Sequence, residues 1–406
     1  MSATDAPVRS DRPLRHRNFR MLVSGTTVSA LGNAIAPIAL AFAVLDLGGS
    51  ATELGLVVAA FALAEVVTVL FGGVLGDRVP RQLMLEGSSA VCALSQALVA
   101  VLMIGGWASI PVLAAMGVVN GCLGALSQPS SSALTRSVVP RALVGDAVAQ
   151  RALLQTSAAV VGFAAGGVMV AAVGSGWAIG LDAITFAVAA YFYSRLDVPH
   201  TPAASRGSFL GDLADGFREV VRHSWLWLLI SQALLYHFFY GGVQSVVGPI
   251  VIGDEFGRSS WGLALGSLMA GFVVGGLICL RWRPRRGLYV GVCLLSLTAA
   301  FPIAMALSDQ LLPILLGAFL HGLGLQIFDV QWQVAIQQNI AEDKLARVYS
   351  FDLVGSFVAR PLGLVLVGPV AQAVGFDQWL LVTGAVMAVS ALLPLLSREV
   401  RHLTRA

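Results

Sequence analysis

The sequence contains little charge and a single lysine. Charged residues make up 12% of its 406 positions and hydrophobic residues 57%, whereas soluble domains carry about 25% charged residues. A soluble chain of this length would form two or three domains with polar surfaces, and this composition cannot coat them. The mean hydropathy of +0.82 predicts an outer surface in contact with lipid. The net charge of +3 is too small to favour a nucleic-acid partner.

Other absences exclude further classes of protein. The only lysine, Lys344, lies in "AEDKLAR", so the phosphate-binding loop Gly-x-x-x-x-Gly-Lys-Ser/Thr is missing. The four cysteines show neither metal spacing nor a disulfide pattern. The six histidines form no metal or nucleophile pattern. We therefore expect neither an enzyme nor a bound cofactor, and any driving force must be a gradient across the membrane.

What the chain has in abundance is long apolar runs. Each is about 18 residues or longer, which is enough to cross a hydrocarbon core of about 30 Å. The predicted spans are 19–45, 53–75, 83–104, 110–134, 147–173, 178–195, 225–252, 261–280, 288–307, 311–338, 348–373 and 378–396. The sequence thus predicts an all-α membrane protein with twelve transmembrane helices.

The positive charges predict the orientation. With a cytoplasmic N-terminus, all of the 25 Lys and Arg residues fall in cytoplasmic segments except Arg151, Arg258 and Arg360. Such a bias fixes topology. Residues 1–18 are polar and lack the apolar core of a signal peptide. Both termini are therefore expected on the cytoplasmic side of the cell membrane, with the lipid bilayer as the surrounding partner.

An internal repeat divides the chain into two halves. A shift of 201 residues places "NGCLGALSQPSSSAL" on "HGLGLQIFDVQWQVA". We predict six-helix bundles at 1–195 and 225–406 and a cytoplasmic linker at 196–224. The linker contains "SFLGDLADGFREVVRH", whose apolar residues recur every four positions as in an amphipathic helix on a membrane surface. A plain solvated linker is the alternative.

The segment after the second span resembles a known loop motif. "GGVLGDRVPRQLML" is similar to the Gly-x-Leu-Ala-Asp-Arg-x-Gly-Arg-Lys motif of the major facilitator superfamily. The matching positions are Gly73, Leu75, Asp77, Arg78 and Arg81. The resemblance implies the superfamily's fold of two pseudo-symmetric six-helix bundles, and a cytoplasmic gate in which the motif docks near Asp352 in "RVYSFD". The alternative is that these charges only anchor the topology.

Nearly the whole chain further resembles the drug:proton antiporter branch that includes macrolide-efflux, Tap-like and enterobactin-exporter proteins. The resemblance rests on "LGNAIAPIALAFAVLDLGGSATELGL", "GSGWAIGLDAITF", "WGLALGSL" and "VAIQQNI". It implies a monomer that exports small organic, drug-like compounds in exchange for protons. Phe163 stands where the branch's fifth-helix motif carries proline. An importer or uniporter of an organic solute remains open, as does a sensor or receptor.

Five polar residues are predicted to share one layer of the membrane. At about 1.5 Å per residue, they lie roughly 15–21 Å from the cytoplasmic face. They are Asn33, Glu65, His237, Asp329 and Arg360. Intramembrane polar groups commonly face a cavity and serve function, so this layer is the candidate pathway for substrate and protons.

Two polar stripes extend the candidate site. Gln232, Tyr236 and Tyr240 recur every four residues in the seventh span, and Gln326, Asp329 and Gln333 form a similar stripe in the tenth. Both stripes facing one cavity would give a lining of aromatic rings and amides, which suits bulky amphipathic ligands. Polar contacts that join neighbouring helices are the alternative.

The buried charges need partners. A guanidinium stays charged in any protein environment, and the sequence favours Asp329 on the preceding helix as the counter-ion of Arg360. An anionic group of the substrate and Glu65 across the cavity are the alternatives. Glu65 has no charged neighbour in its own helix. It is a candidate proton carrier, with a contact to a cationic substrate or a helix-bridging hydrogen bond as alternatives.

Overall fold

The computed structural model describes residues 12–71, 79–198 and 209–404. Within these ranges, twelve helices are long and apolar enough to cross a membrane, which confirms the predicted fold class. The spans α1 to α12 are Arg17–Asp46, Ala51–Val69, Arg81–Ile104, Ile110–Ser137, Arg141–Val173, Ser175–Ser194, Ser224–Phe256, Arg258–Arg281, Gly287–Leu307, Leu311–Asn339, Arg347–Val374 and Phe376–Leu396.

Consecutive spans run antiparallel, so every connection lies at one of two ends of the molecule. We call the end that carries Arg81, Arg141 and Arg283 the arginine-rich end. The opposite end, where α1 finishes at Asp46 and α8 begins at Arg258, is the arginine-poor end. Below, the first half means α1 to α6 and the second half α7 to α12.

The hydrophobic core differs between the two ends. One cluster of buried side chains contains residues from both halves, among them Phe42 of α1 and Val246 of α7. At the arginine-rich end, one cluster around Phe19 belongs to the first half. Another, around Trp225 and Trp332, belongs to the second half. Among the described residues, the two halves thus share a core toward the arginine-poor end and diverge toward the arginine-rich end.

Glycines allow the two halves to meet at the arginine-poor end. A Cβ atom on Gly167 of α5 would lie 2.8 Å from the Cα of Gly262 in α8. In the pseudo-symmetric pair α2 and α11, a Cβ on Gly368 would lie 2.5 Å from the Cα of Thr52. Small residues let membrane helices approach at backbone distance and gain van der Waals contact. These two helix pairs close this end of the molecule.

The linker contains a helix, Phe209–Arg222, that is attached to the second half. Its Glu219 accepts a hydrogen bond from Lys344 Nζ at 2.9 Å, and this bond holds the pKa of Glu219 below its usual value. The ring of Phe217 packs against Phe351 with centroids 5.6 Å apart. Phe217 is nevertheless half exposed.

The contact between α5 and α8 yields a prediction. A Cβ on Gly262 would lie 2.6 Å from the carbonyl oxygen of Phe163, so Gly262→Ala should overpack the interface. Overpacking costs about 1–3 kcal/mol, and the thermal unfolding midpoint in detergent should fall. One helical turn away, a Cβ on Gly266 has no neighbour nearer than 3.7 Å. Gly266→Ala is therefore the matched control and should be neutral or stabilising by up to about 1 kcal/mol. Equal losses in both variants would contradict the proposed tight contact.

Candidate functional site

Arg360 lies at a break in α11. The helix Glu342–Phe357 ends, Val358 and Ala359 form a turn with helix-like backbone angles, and a second helical segment runs from Arg360 to Val374. The cause is Pro361, because proline has no N–H to donate and its ring clashes with the carbonyl four residues earlier, here that of Phe357. Pro361 is visible in the sequence next to the arginine, but the length of an apolar run does not reveal a break within it.

The neighbours of Arg360 come from α2 and α7. The carboxylate that interacts electrostatically with its guanidinium is Glu65, which belongs to the first half. A Cβ on Gly241 of α7 would lie 3.2 Å from Arg360 Cγ, so the arginine stem runs along the α7 backbone. Its charge also acts on the imidazole of His237. The structure thus brings Glu65, His237 and Arg360 together.

The prediction that Asp329 is the main counter-ion of Arg360 is wrong. Asp329 is exposed, and the carboxyl group on which its charge acts is that of Asp352. The carboxylate whose charge acts on Arg360 is Glu65. The reason is helix packing. The segment of α11 that carries Arg360 packs on α2 and α7, so adjacency in sequence does not bring Asp329 to it.

Asp352, which was predicted to belong to the cytoplasmic gate, forms its hydrogen bonds within the second half. Its carboxylate accepts a hydrogen bond from Trp332 Nε1 at 3.1 Å and one from Ser356 Oγ at 3.3 Å, so it joins α10 to α11 within the second half. The other gate residues cannot be placed beside it, because Gly73, Asp77 and Arg78 lie outside the described residues. Arg81 begins α3. The gate therefore stays a prediction.

The aromatic stripe of α7 is mostly buried. Gln232, Tyr236 and Tyr240 are each at most 7% exposed, so they do not line an open cavity in this structure. Tyr236 Oη is hydrogen-bonded to His321 Nε2 of α10 at 2.7 Å, and the Tyr240 ring lies 4.3 Å from the same imidazole. The alternative interpretation, polar contacts between neighbouring helices, fits these three residues better.

Other predicted residues are accessible to differing degrees. Asn33 of α1 is exposed, and its side-chain amide donates to Ser29 Oγ at 3.2 Å. His237 is partly exposed; its Nδ1–H donates to the carbonyl of Ala233 at 2.8 Å, and its ring packs on Phe357. Gln326 and Gln333 of α10 are partly exposed. A Cβ on Gly275 of α8 would lie 3.1 Å from Gln326 Cβ, so Gln326 packs against α8.

Sequence reasoning missed two fully buried polar residues. Asp182 of α6 is 0% exposed and accepts a hydrogen bond from Gln96 Nε2 of α3 at 2.7 Å. His321 is also 0% exposed. A lone aspartate in the apolar run "AIGLDAITF" was the available signal for Asp182, because an acid in a membrane span needs a partner. The contact of Asp182 joins α3 to α6 in the first half, and the contact of His321 joins α7 to α10 in the second half.

The arrangement can separate charge between the two halves. The acid Glu65 on α2 and the guanidinium of Arg360 on α11 carry opposite charges on the two halves. Among the described residues, no group of three or more His, Cys, Asp or Glu side chains is placed to hold a metal ion. The site's accessible chemistry is therefore protonation of a carboxyl group and polar or ionic contact with a solute.

Comparisons with known proteins agree with this architecture. Over 404 residues, the chain is 23% identical to macrolide efflux protein A of Streptococcus pyogenes, covering 95% of this chain and 97% of that one. Over 408 residues, it is 26% identical to the multidrug efflux pump Tap of Mycobacterium tuberculosis, covering 95% of this chain and 94% of the pump.

Solved structures show the same fold. A variant of the nucleoside transporter NupG superposes with a TM-score of 0.72 at 12% identity, covering 94% of this chain and 99% of that one. A bacterial homologue of the human lysosomal transporter Spinster, in an inward-facing and unoccupied conformation, gives a TM-score of 0.69 at 16% identity, covering 97% and 98%. The family model of the Major Facilitator Superfamily matches residues 22–364. The chain is thus a multi-pass membrane transporter for a small-molecule substrate, and it belongs to the Major Facilitator Superfamily.

Proposed function

We propose that this transporter exports drug-like amphipathic compounds or secondary metabolites in exchange for protons, by alternating access between the two ends. The observation that carries the proposal is the placement of Glu65 on α2 and Arg360 on α11, two helices from opposite halves that pack against each other, with their charges near enough to interact. The efflux functions of the two curated relatives support the direction of transport. The proposed orientation places the arginine-rich end, and both termini, in the cytoplasm.

The mechanism follows from the position of this pair. Arg360 is four residues, about 6 Å along a helix, from Leu364, whose carbonyl packs on Gly55 in the closed region. The pair thus lies beside the closure, on its arginine-rich side. When a proton neutralises Glu65, the attraction across the halves disappears. A substrate that reaches the pair from the cytoplasmic side competes for the same charges.

Exchange requires that proton and substrate affect one equilibrium in opposite senses. A ligand moves a two-state equilibrium only by its difference in affinity for the two states. Glu65 meets this requirement, because its attraction to Arg360 exists in one arrangement of the halves. We propose that a monomer carries out this cycle, with the proton gradient as its energy source and without a bound cofactor.

The first prediction concerns coupling. In inverted vesicles from a host lacking its own efflux pumps, an imposed proton gradient should drive accumulation of a fluorescent cationic dye or a macrolide. A protonophore should abolish that accumulation. Vesicles without the protein provide the control. Accumulation that survives collapse of the gradient would contradict proton exchange, and a broad substrate panel without any transport would contradict drug efflux.

The second prediction concerns Glu65. Glu65→Gln keeps the shape of the side chain and removes its ability to take up a proton. We expect gradient-driven export to fall at least about tenfold, while dye binding and dye exchange down a dye gradient persist. Exposed Glu255 lies at the arginine-poor end of α7, and Glu255→Gln is the matched control that should export normally. Full coupled transport by Glu65→Gln would exclude Glu65 as the proton carrier.

The third prediction concerns the partner of Arg360. A double-mutant cycle with Glu65→Gln and Arg360→Gln should give a coupling energy of about 0.5–3 kcal/mol in thermal unfolding, the range for residues in one charge network. The same cycle with Asp329→Asn and Arg360→Gln should be additive. Coupling in the second cycle alone would restore Asp329 as the counter-ion.

A further inference from the structure

One ion pair joins the two halves at the arginine-poor end. Asp46 is the last residue of α1, and Arg258 is the first residue of α8. Their side chains meet with Arg258 Nη2 2.6 Å from Asp46 Oδ1. Arg258 is also the only basic residue that the sequence places in a loop on this side. Its counterpart, Asp46, belongs to the other half.

Further contacts hold both partners in place. The guanidinium carbon of Arg258 lies 5.2 Å from the ring centroid of Phe42, which precedes Asp46 by one helical turn. The second carboxylate oxygen of Asp46 accepts a hydrogen bond from Ser175 Oγ at 2.7 Å. The carboxylate is thus oriented within the first half before it meets the arginine, which lowers the entropy cost of forming the pair.

A second polar contact lies at the α2–α11 interface, which is pseudo-symmetric to the α5–α8 interface. Thr52 Oγ1 of α2 donates a hydrogen bond to Gln372 Oε1 of α11 at 3.0 Å. The ion pair joins α8 to α1 one helical turn from the glycine contact at Gly262, and this hydrogen bond joins α2 to α11 one helical turn from the glycine contact at Gly368. The glycine contacts set how near the helices come, and the polar bridges exist only when they are near.

We propose that the Asp46–Arg258 ion pair is a latch that holds the arginine-poor end closed and breaks each time this end opens. The partners lie on elements that must separate during opening, so the contact distinguishes the two states. The side chains are 38% and 27% exposed, and such accessible pairs contribute about 1 kcal/mol or less. That is enough to bias a conformational equilibrium and too little to prevent a transporter from cycling.

The test measures opening directly and needs no substrate. Val246 of α7 is 0% exposed and packs near Gly55 of α2, across the closed interface. In Val246→Cys, a polar maleimide should react slowly at residue 246 in detergent, because the thiol becomes accessible only when the arginine-poor end opens. Mass spectrometry of the labelled peptide separates this thiol from the native cysteines.

Removing either charge should speed the labelling. In the Val246→Cys background, Asp46→Asn and Arg258→Gln should each raise the labelling rate up to about fivefold, the factor that corresponds to about 1 kcal/mol. The two changes together should add nothing further. The swapped pair Asp46→Arg with Arg258→Asp should return the rate toward that of the parent. Exposed Asp254, four residues before Arg258 and near the end of α7, provides the control, and Asp254→Asn should leave the rate unchanged.

Two results would contradict the latch. Unchanged labelling in both single variants, or rates that multiply in the double variant, would mean that the ion pair does not bias opening. Thermal unfolding of each variant identifies loss of fold as a separate cause of fast labelling. If a single variant fails to fold, the swapped pair decides: labelling at the unpaired rate in a folded swapped protein would reject the proposal.

Discussion

The rest of the structure depends on the charge of Arg360. Its guanidinium stays protonated at membrane depth, where an uncompensated charge is costly, so an acid must lie near it. Glu65 on α2 is the carboxylate whose charge acts on Arg360, and the two residues belong to opposite halves. The electrostatic requirement of one side chain is thus linked to the relative position of two six-helix units.

The two ends of the molecule are built from different interactions. At the arginine-poor end, the halves share one apolar core, and glycine contacts bring α5 to α8 and α2 to α11 at backbone distance. At the arginine-rich end, each half buries its own aromatic cluster. Because the clusters are complete within each half, the halves can diverge there without exposing a shared core. The linker helix stays with the second half through Lys344 and Glu219.

Within the second half, polar groups that resemble a cavity lining serve packing as well. Tyr236 meets His321, and Asp352 meets Trp332, and both contacts join α10 to a neighbouring segment. In a lipid environment such hydrogen bonds are one of the few specific attractions between helices. In the same layer, the side chain of Asp329 is exposed and those of Glu65 and Arg360 are partly exposed.

The sequence by itself determined the twelve spans and the layer that holds Glu65, His237 and Arg360, because hydrophobic length and residue counting measure depth in a membrane directly. It did not determine which side chains meet. Asp329 was favoured because α10 and α11 are consecutive, whereas the tertiary structure packs the Arg360 segment on α2 and α7. The tertiary structure also buries Tyr236 and Tyr240 and brings Asp46 into contact with Arg258. Rotation of a helix about its axis and the choice of its neighbours depend on packing between distant segments, and no local pattern in the chain records that packing.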